Sequence, residues 1–193
     1  MSAPPLPTLL APVTLVLGGA RSGKSRHAEA LVASQPGACV YLATAQAGDG
    51  EMAARIAAHR GRRDERWTTV EEPLDLAEAL GQACGPDRAV LVDCLTLWLS
   101  NLLGAGRDVI AECASLLAAL PGLAGPVVLV SNEVGQGVVP DNALARAFAD
   151  HAGRLHQDLA AVAQRVIFMT AGLPQEIKSV SETESRIMKL QRS

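Results

Sequence analysis

The stretch PVTLVLGGARSGKSRHAEALVA, residues 12–33, carries the reading of the fold. Its first half is an uncharged apolar run with strand character, and RHAEALVA at its end has helix character. Between them GGARSGKS, Gly18 to Ser25, fits G-x-x-x-x-G-K-[ST] in full. Strand, glycine turn and helix in that order are the context in which this motif holds phosphate. Gly18, Gly19 and Gly23 let the backbone wrap phosphate oxygens, with Ala20, Arg21 and Ser22 supplying N–H groups between them. The positive end of the following helix adds to the field. Lys24 is expected to reach the β and γ phosphates, and the Ser25 hydroxyl to sit on Mg²⁺.

Outward from this unit, strand-like and helix-like runs alternate. ACVYLAT (38–44), WTTVEEP (67–73), RAVLVDC (88–94), PVVLVSN (126–132) and RVIFMTAG (165–172) have strand character. EMAARIAAHR (51–60), LDLAEALGQA (74–83) and a long stretch over 142–164 have helix character. Strands that are apolar throughout, separated by helices, predict an α/β chain of the P-loop NTPase type: a mainly parallel sheet with helices on both faces. The expected organisation is a lead-in over 1–12, one nucleotide-binding catalytic domain over 13–174, and a polar C-terminal tail over 175–193. Ser181 to Glu184 offers that tail a capping box.

In such sheets ligands bind at the carboxyl ends of the strands. The residues found there are the GGARSGKS turn, Thr44-Ala45-Gln46, Glu71-Glu72, Asp93 and Asn132-Glu133. Asp93 ends AVLVD, the position of a carboxylate that orients Mg²⁺. It would also serve as an N-cap for the run that begins at Cys94, and the two roles are compatible. The strand over 126–132 leads into SNEVG rather than the NKxD element of signalling GTPases, which argues against that class.

At 193 residues the chain suits one compact domain. A net charge of −3 argues against a nucleic-acid binder with a broad basic surface. Cys39, Cys84, Cys94 and Cys113 form no C-x-x-C pair; buried free thiols and a reducing cytoplasm are the expectation. The proline-rich start lacks the pattern of a signal peptide, and no apolar run is long enough for a transmembrane segment.

A phosphate loop names a ligand and not a reaction. EMAARIAAHRGRRDERW, 51–67, places His59 at a helix end, followed by Arg60, Arg62, Arg63 and Arg66. Such a field would neutralise a triphosphate or leaving pyrophosphate and keep an imidazole neutral, the form a nitrogen nucleophile needs. On composition alone a solvated, basic helix end is the better account. His27, next to the phosphate loop, reads as structural, and His151 and His156, on the long helix, as exposed or hydrogen-bonded. CLTLWLSNLL (94–103) reads as a buried helix or a subunit contact.

The chain closely resembles the bifunctional adenosylcobinamide kinase / adenosylcobinamide-phosphate guanylyltransferase family of cobalamin biosynthesis. The resemblance rests on GGARSGKSRHAE, YLAT-x-Q, EMAARI-x-x-HR, VLVDCLTLWLSNLL and VVLVSNEVG-x-G-VVP-x-N-x-LAR-x-F-x-D, in that order. It implies phosphorylation of adenosylcobinamide from ATP or GTP, then transfer of GMP from GTP through a guanylylated histidine, which by motif is His59. It further implies nucleotide contacts from Thr44, Ala45, Gln46, Arg60, Gly61, Arg62, Arg63, Glu71 and Asp93, and a homotrimer. A monofunctional kinase, or a module that couples hydrolysis to assembly, would use the same loop without labelling on histidine.

Overall fold

The computed structural model describes residues 10–45 and 63–179. Among these residues the elements run β1 (Val13–Gly18), α1 (Lys24–Ala33), β2 (Ala38–Ala43), β3 (Trp67–Glu71), α2 (Leu76–Ala83) and β4 (Arg88–Asp93). They continue with α3 (Leu95–Gly104), α4 (Val109–Ala119), β5 (Val127–Asn132), α5 (Ala143–Val162), β6 (Arg165–Thr170) and β7 (Leu173–Lys178). The helix expected over 51–60 lies outside the described residues.

The strands form one sheet in the order β3-β2-β4-β5-β1-β6-β7. Every pairing is parallel except that of β7 with β6. Both faces of the central strands are buried, so their sequences read as unbroken apolar runs. Alternation survives beneath that uniformity. Val13, Leu15 and Leu17 of β1, with Val127 and Leu129 of β5, pack with residues of α2, α3, α4 and α5. Val16, Val128 and Val130 face the other way and join Ala28 and Val32 of α1. The sheet is thus a divider with α1 on one side and the remaining described helices on the other.

Helix α4 and strand β7 depart from the expectations, while α3 follows the buried-helix reading. Helix α4 had no counterpart among the predicted elements; Asp108 caps it, accepting from the N–H groups of Ile110 (3.0 Å) and Ala111 (3.1 Å). Helix α3 spends its apolar surface inside the chain: Leu95, Trp98, Leu99 and Leu102 are all fully buried. It therefore supplies no subunit contact through those residues. Finally, the domain continues past the expected boundary at 174, because β7 runs on to Lys178 as an antiparallel edge strand. Its side chains stay largely exposed, so no hydrophobic alternation announces it. Ladder bonds to β6 hold it, with an Arg165–Glu176 pair at 2.9 Å and Lys178 Nζ donating to the Ala160 carbonyl at 2.9 Å. That carbonyl belongs to the last turn of α5, where helix geometry leaves acceptors without partners.

Candidate active site

The parallel strands β1, β2, β4 and β5 end along one edge, and the phosphate loop leaves β1 there. A Cβ on Gly18 would lie 2.6 Å from both the Met169 carbonyl oxygen and Ser22 Oγ. Only glycine lets the chain leave the strand at that point. Gly23 takes φ 95° as the N-cap of α1, which has no side-chain cap and no acidic residue in its first turn. The positive end of α1 therefore faces the loop. Lys24 folds back over it, 7% exposed, with Nζ donating to the Gly19 carbonyl at 3.0 Å. Ser22 Oγ is buried without a hydrogen-bond partner, an orphan that a bound phosphate oxygen would satisfy. The turn between β6 and β7 braces the loop: the Gly172 N–H donates to the Ser22 carbonyl at 3.0 Å.

Asp93 closes β4 two strands away, with β5 between. Its Oδ2 accepts from the phenol of Tyr41 at 3.1 Å. The N-cap of α3 is Cys94 and not Asp93, so the capping alternative falls away. Asn132, in register with Gly18 at the end of β5, donates to the Thr96 hydroxyl at 2.7 Å. This bond ties the phosphate-loop strand and its neighbour to the first turn of α3.

Thr44, expected to contact nucleotide, is fully buried with its polar groups spent in the fold. Its hydroxyl donates to the Cys94 carbonyl at 2.7 Å and accepts from the Cys94 N–H at 2.9 Å. Its carbonyl accepts from the Asn101 amide at 2.8 Å. Thr44 is a clamp beneath the edge. Ala45 lies half-buried beyond it, and Glu71 ends β3 in an exposed position. Gln46, His59, Arg60, Gly61 and Arg62 lie outside the described residues.

The two described arginines of the basic segment are committed within the fold, which corrects the expectation of a field of four. The Arg63 side chain is 5% exposed and pairs with Glu29 of α1 at 3.4 Å. Its guanidinium stacks over the Tyr41 ring, 3.3 Å from the centroid, and reaches the Thr69 hydroxyl at 3.4 Å. Arg66 donates to the carbonyls of Ala33 (3.1 Å) and Gln35 (3.2 Å) at the C-terminus of α1.

Residues 14–177 match the family described as cobinamide kinase / cobinamide phosphate guanyltransferase. The chain belongs to this family. It is 54% identical to the bifunctional adenosylcobalamin biosynthesis protein CobP of Pseudomonas aeruginosa, covering 85% of this chain and 96% of that protein. Against CobU of Escherichia coli K12 it is 45% identical, over 85% of this chain and 98% of that one. Solved structures share the fold at low identity. An ATPase of a bacterial type III secretion system aligns at 12% identity and TM-score 0.53, covering 89% of this chain and 57% of that one. Flagellar accessory protein FlaH of Methanocaldococcus jannaschii aligns at 9% identity and TM-score 0.51, covering 89% and 80%. A P-loop NTPase sheet carrying a cobinamide kinase and guanyltransferase sequence is what the edge geometry and the family together describe.

Tyr41 of this family member takes a role that the sequence reading did not assign, and His156 takes the hydrogen-bonded one of its two readings. Tyr41 is buried, and desolvation together with the Asp93 carboxylate pushes its phenol above the ordinary range, which keeps it a donor. His156 is also buried, its Nε2 2.7 Å from Ser131 Oγ and its Nδ1 3.7 Å from Glu133. Burial lowers its pKa, and Glu133 opposes that shift. The sequence signal for His156 was its spacing: Ala152, Leu155 and Leu159 share its inward face on α5.

Proposed function

We propose that the chain phosphorylates adenosylcobinamide from ATP or GTP and then transfers GMP from GTP to the product through His59. The observation that carries this reading is the phosphate cradle at Gly18–Ser25 on a chain whose family match runs from 14 to 177. In the kinase step the acceptor hydroxyl oxygen attacks the γ-phosphorus. The bond to the β-phosphate oxygen breaks, and ADP or GDP leaves. Backbone N–H groups of the loop and the Lys24 ammonium hold the non-reacting oxygens and take up the charge shifting toward the leaving group.

In the second step a nitrogen of neutral His59 attacks the α-phosphorus of GTP, and pyrophosphate leaves. The phosphate oxygen of adenosylcobinamide phosphate then attacks the same phosphorus, the N–P bond breaks, and adenosylcobinamide-GDP forms. In this reading Arg60 and Arg62 would neutralise the leaving pyrophosphate, and Ala45, Gln46, Gly61 and Glu71 would contact the nucleotide. Arg63 and Thr44 support that side from within. Ser25 and Asp93 present hard oxygen donors of the kind Mg²⁺ takes together with substrate phosphates. Bound there, Mg²⁺ would neutralise phosphate charge. The proposed setting is the cytoplasm and the proposed assembly a homotrimer.

Reaction with [α-³²P]GTP tests the reading. The expected result is covalent label that is acid-labile and alkali-stable, discharged on addition of adenosylcobinamide phosphate. Hydrolysis of GTP with no covalent label would leave a monofunctional kinase as the better account.

A further inference from the structure

Tyr41 sits where β2 runs beside β4, opposite Leu91 and two residues before Ala43, which pairs with Asp93. From there its O–H reaches along the sheet face to Asp93 Oδ2 at 3.1 Å. Among the described residues only that one oxygen of the carboxylate is engaged. The phenol cannot swing aside. It is 8% exposed, and the Arg63 guanidinium lies 3.3 Å above its ring. Arg63 is fixed in turn by Glu29 of α1 at 3.4 Å and Thr69 of β3 at 3.4 Å. One helix and three strands thus converge on the orientation of a single carboxylate.

We infer that Tyr41 is a positioning residue for Asp93: its O–H fixes Oδ2 so that Oδ1 is presented to the divalent cation accompanying the triphosphate, with Arg63 clamping the phenol. The inference rests on the reading of Asp93 as a cation-holding carboxylate. Tyr41 touches neither substrate nor metal and acts through Asp93 alone. A carboxylate left to rotate would spend much of its time in orientations that the cation cannot use, and a cation site held within tight tolerances loses affinity first.

The test uses the full chain as wild type, Tyr41→Phe and Asp93→Asn. Mn²⁺ binding is followed by the electron paramagnetic resonance of free Mn²⁺ with a non-hydrolysable GTP analogue. Analogue binding in EDTA and the melting temperature are measured beside it. Tyr41→Phe is expected to weaken Mn²⁺ binding about tenfold, the scale of one hydrogen bond to a charged group. Metal-free nucleotide binding should stay unchanged, and kinase kcat should recover at saturating Mg²⁺. Unchanged Mn²⁺ affinity in Tyr41→Phe with a loss in Asp93→Asn would overturn the inference and spare the cation reading. Wild-type affinity in both variants would overturn both. A Tyr41→Phe defect that Mg²⁺ does not rescue, with lowered melting temperature, would make Tyr41 a packing residue only.

Discussion

Lys24 is 7% exposed, an unusual depth for an ammonium group, and its Nζ is turned onto the Gly19 carbonyl inside the loop it serves. A charge kept at that depth has its effect concentrated on whatever enters the loop. Lys24→Ala should reduce both kinase and guanylyl transfer by at least about a hundredfold, the scale of losing one preorganised charge contact. Separate assays with adenosylcobinamide and with its phosphate check this. Near-normal guanylyl transfer would place the GTP of that step elsewhere. His59→Asn divides the chemistry differently, since it keeps a polar side chain and removes the nucleophile. Covalent labelling and adenosylcobinamide-GDP formation should fall below detection, while direct phosphoryl transfer to the hydroxyl persists. Label retained by His59→Asn would move the nucleophile, and equal loss of both activities would make His59 a general nucleotide contact.

Between β2 and β4 the edge is held by few bonds, each of them specific. Thr44→Val keeps the shape of the side chain but leaves the buried Cys94 N–H and carbonyl without their hydroxyl partner. Urea unfolding should show a loss of about 2 kcal/mol, chiefly from the buried Cys94 N–H left unpaired, since the carbonyl still accepts from the Trp98 N–H at 3.1 Å. A change under about 0.5 kcal/mol would mean that the clamp is dispensable. Helix α5 carries a pH prediction through His156. Burial depresses its folded-state pKa below the ordinary histidine value of about 6.5, so as pH falls through that value the unfolded chain binds a proton that the folded chain resists. The neutral form's share of stability is complete above about pH 6.5 and declines below it, toward the depressed folded value. His156→Asn should therefore flatten the decline in unfolding free energy between about pH 7 and pH 5.5. Part will remain, because burial and Arg165 depress His27 in the same direction. An unaltered slope would show that His156 is protonated equally in both states.

The same elements explain what the sequence disclosed. β1, β4 and β5 were legible because burial on both faces writes an unbroken apolar run. The phosphate loop was legible because its spacing is local. Helix α4 was not, since 109–120 is apolar without a clear stripe and only Asp108 signals its start. The work of Thr44 and Tyr41 was hidden for another reason: their partners lie 50 and 52 residues away, and only the pairing of β2 with β4 brings them together.

At the scale of the whole molecule, the proposed trimer must draw on the surface and not on α3. Val138 (96% exposed), Val139 (76%) and Leu144 (68%) follow β5, and Leu173 (71%) and Ile177 (57%) lie on β7. Sedimentation equilibrium should give three times the mass of one chain, and a monomer at micromolar concentration would end the proposal. The strand order has a consequence in time as well. Of the described strands β1 is made first, with the entire phosphate motif close behind it, yet Val13 must wait for Val127, and Thr14 for Arg165, before either flank of β1 is occupied. A nascent chain therefore carries the motif long before it owns a cradle. Fragments that stop before β5 would display GGARSGKS on a strand with neither of its neighbours.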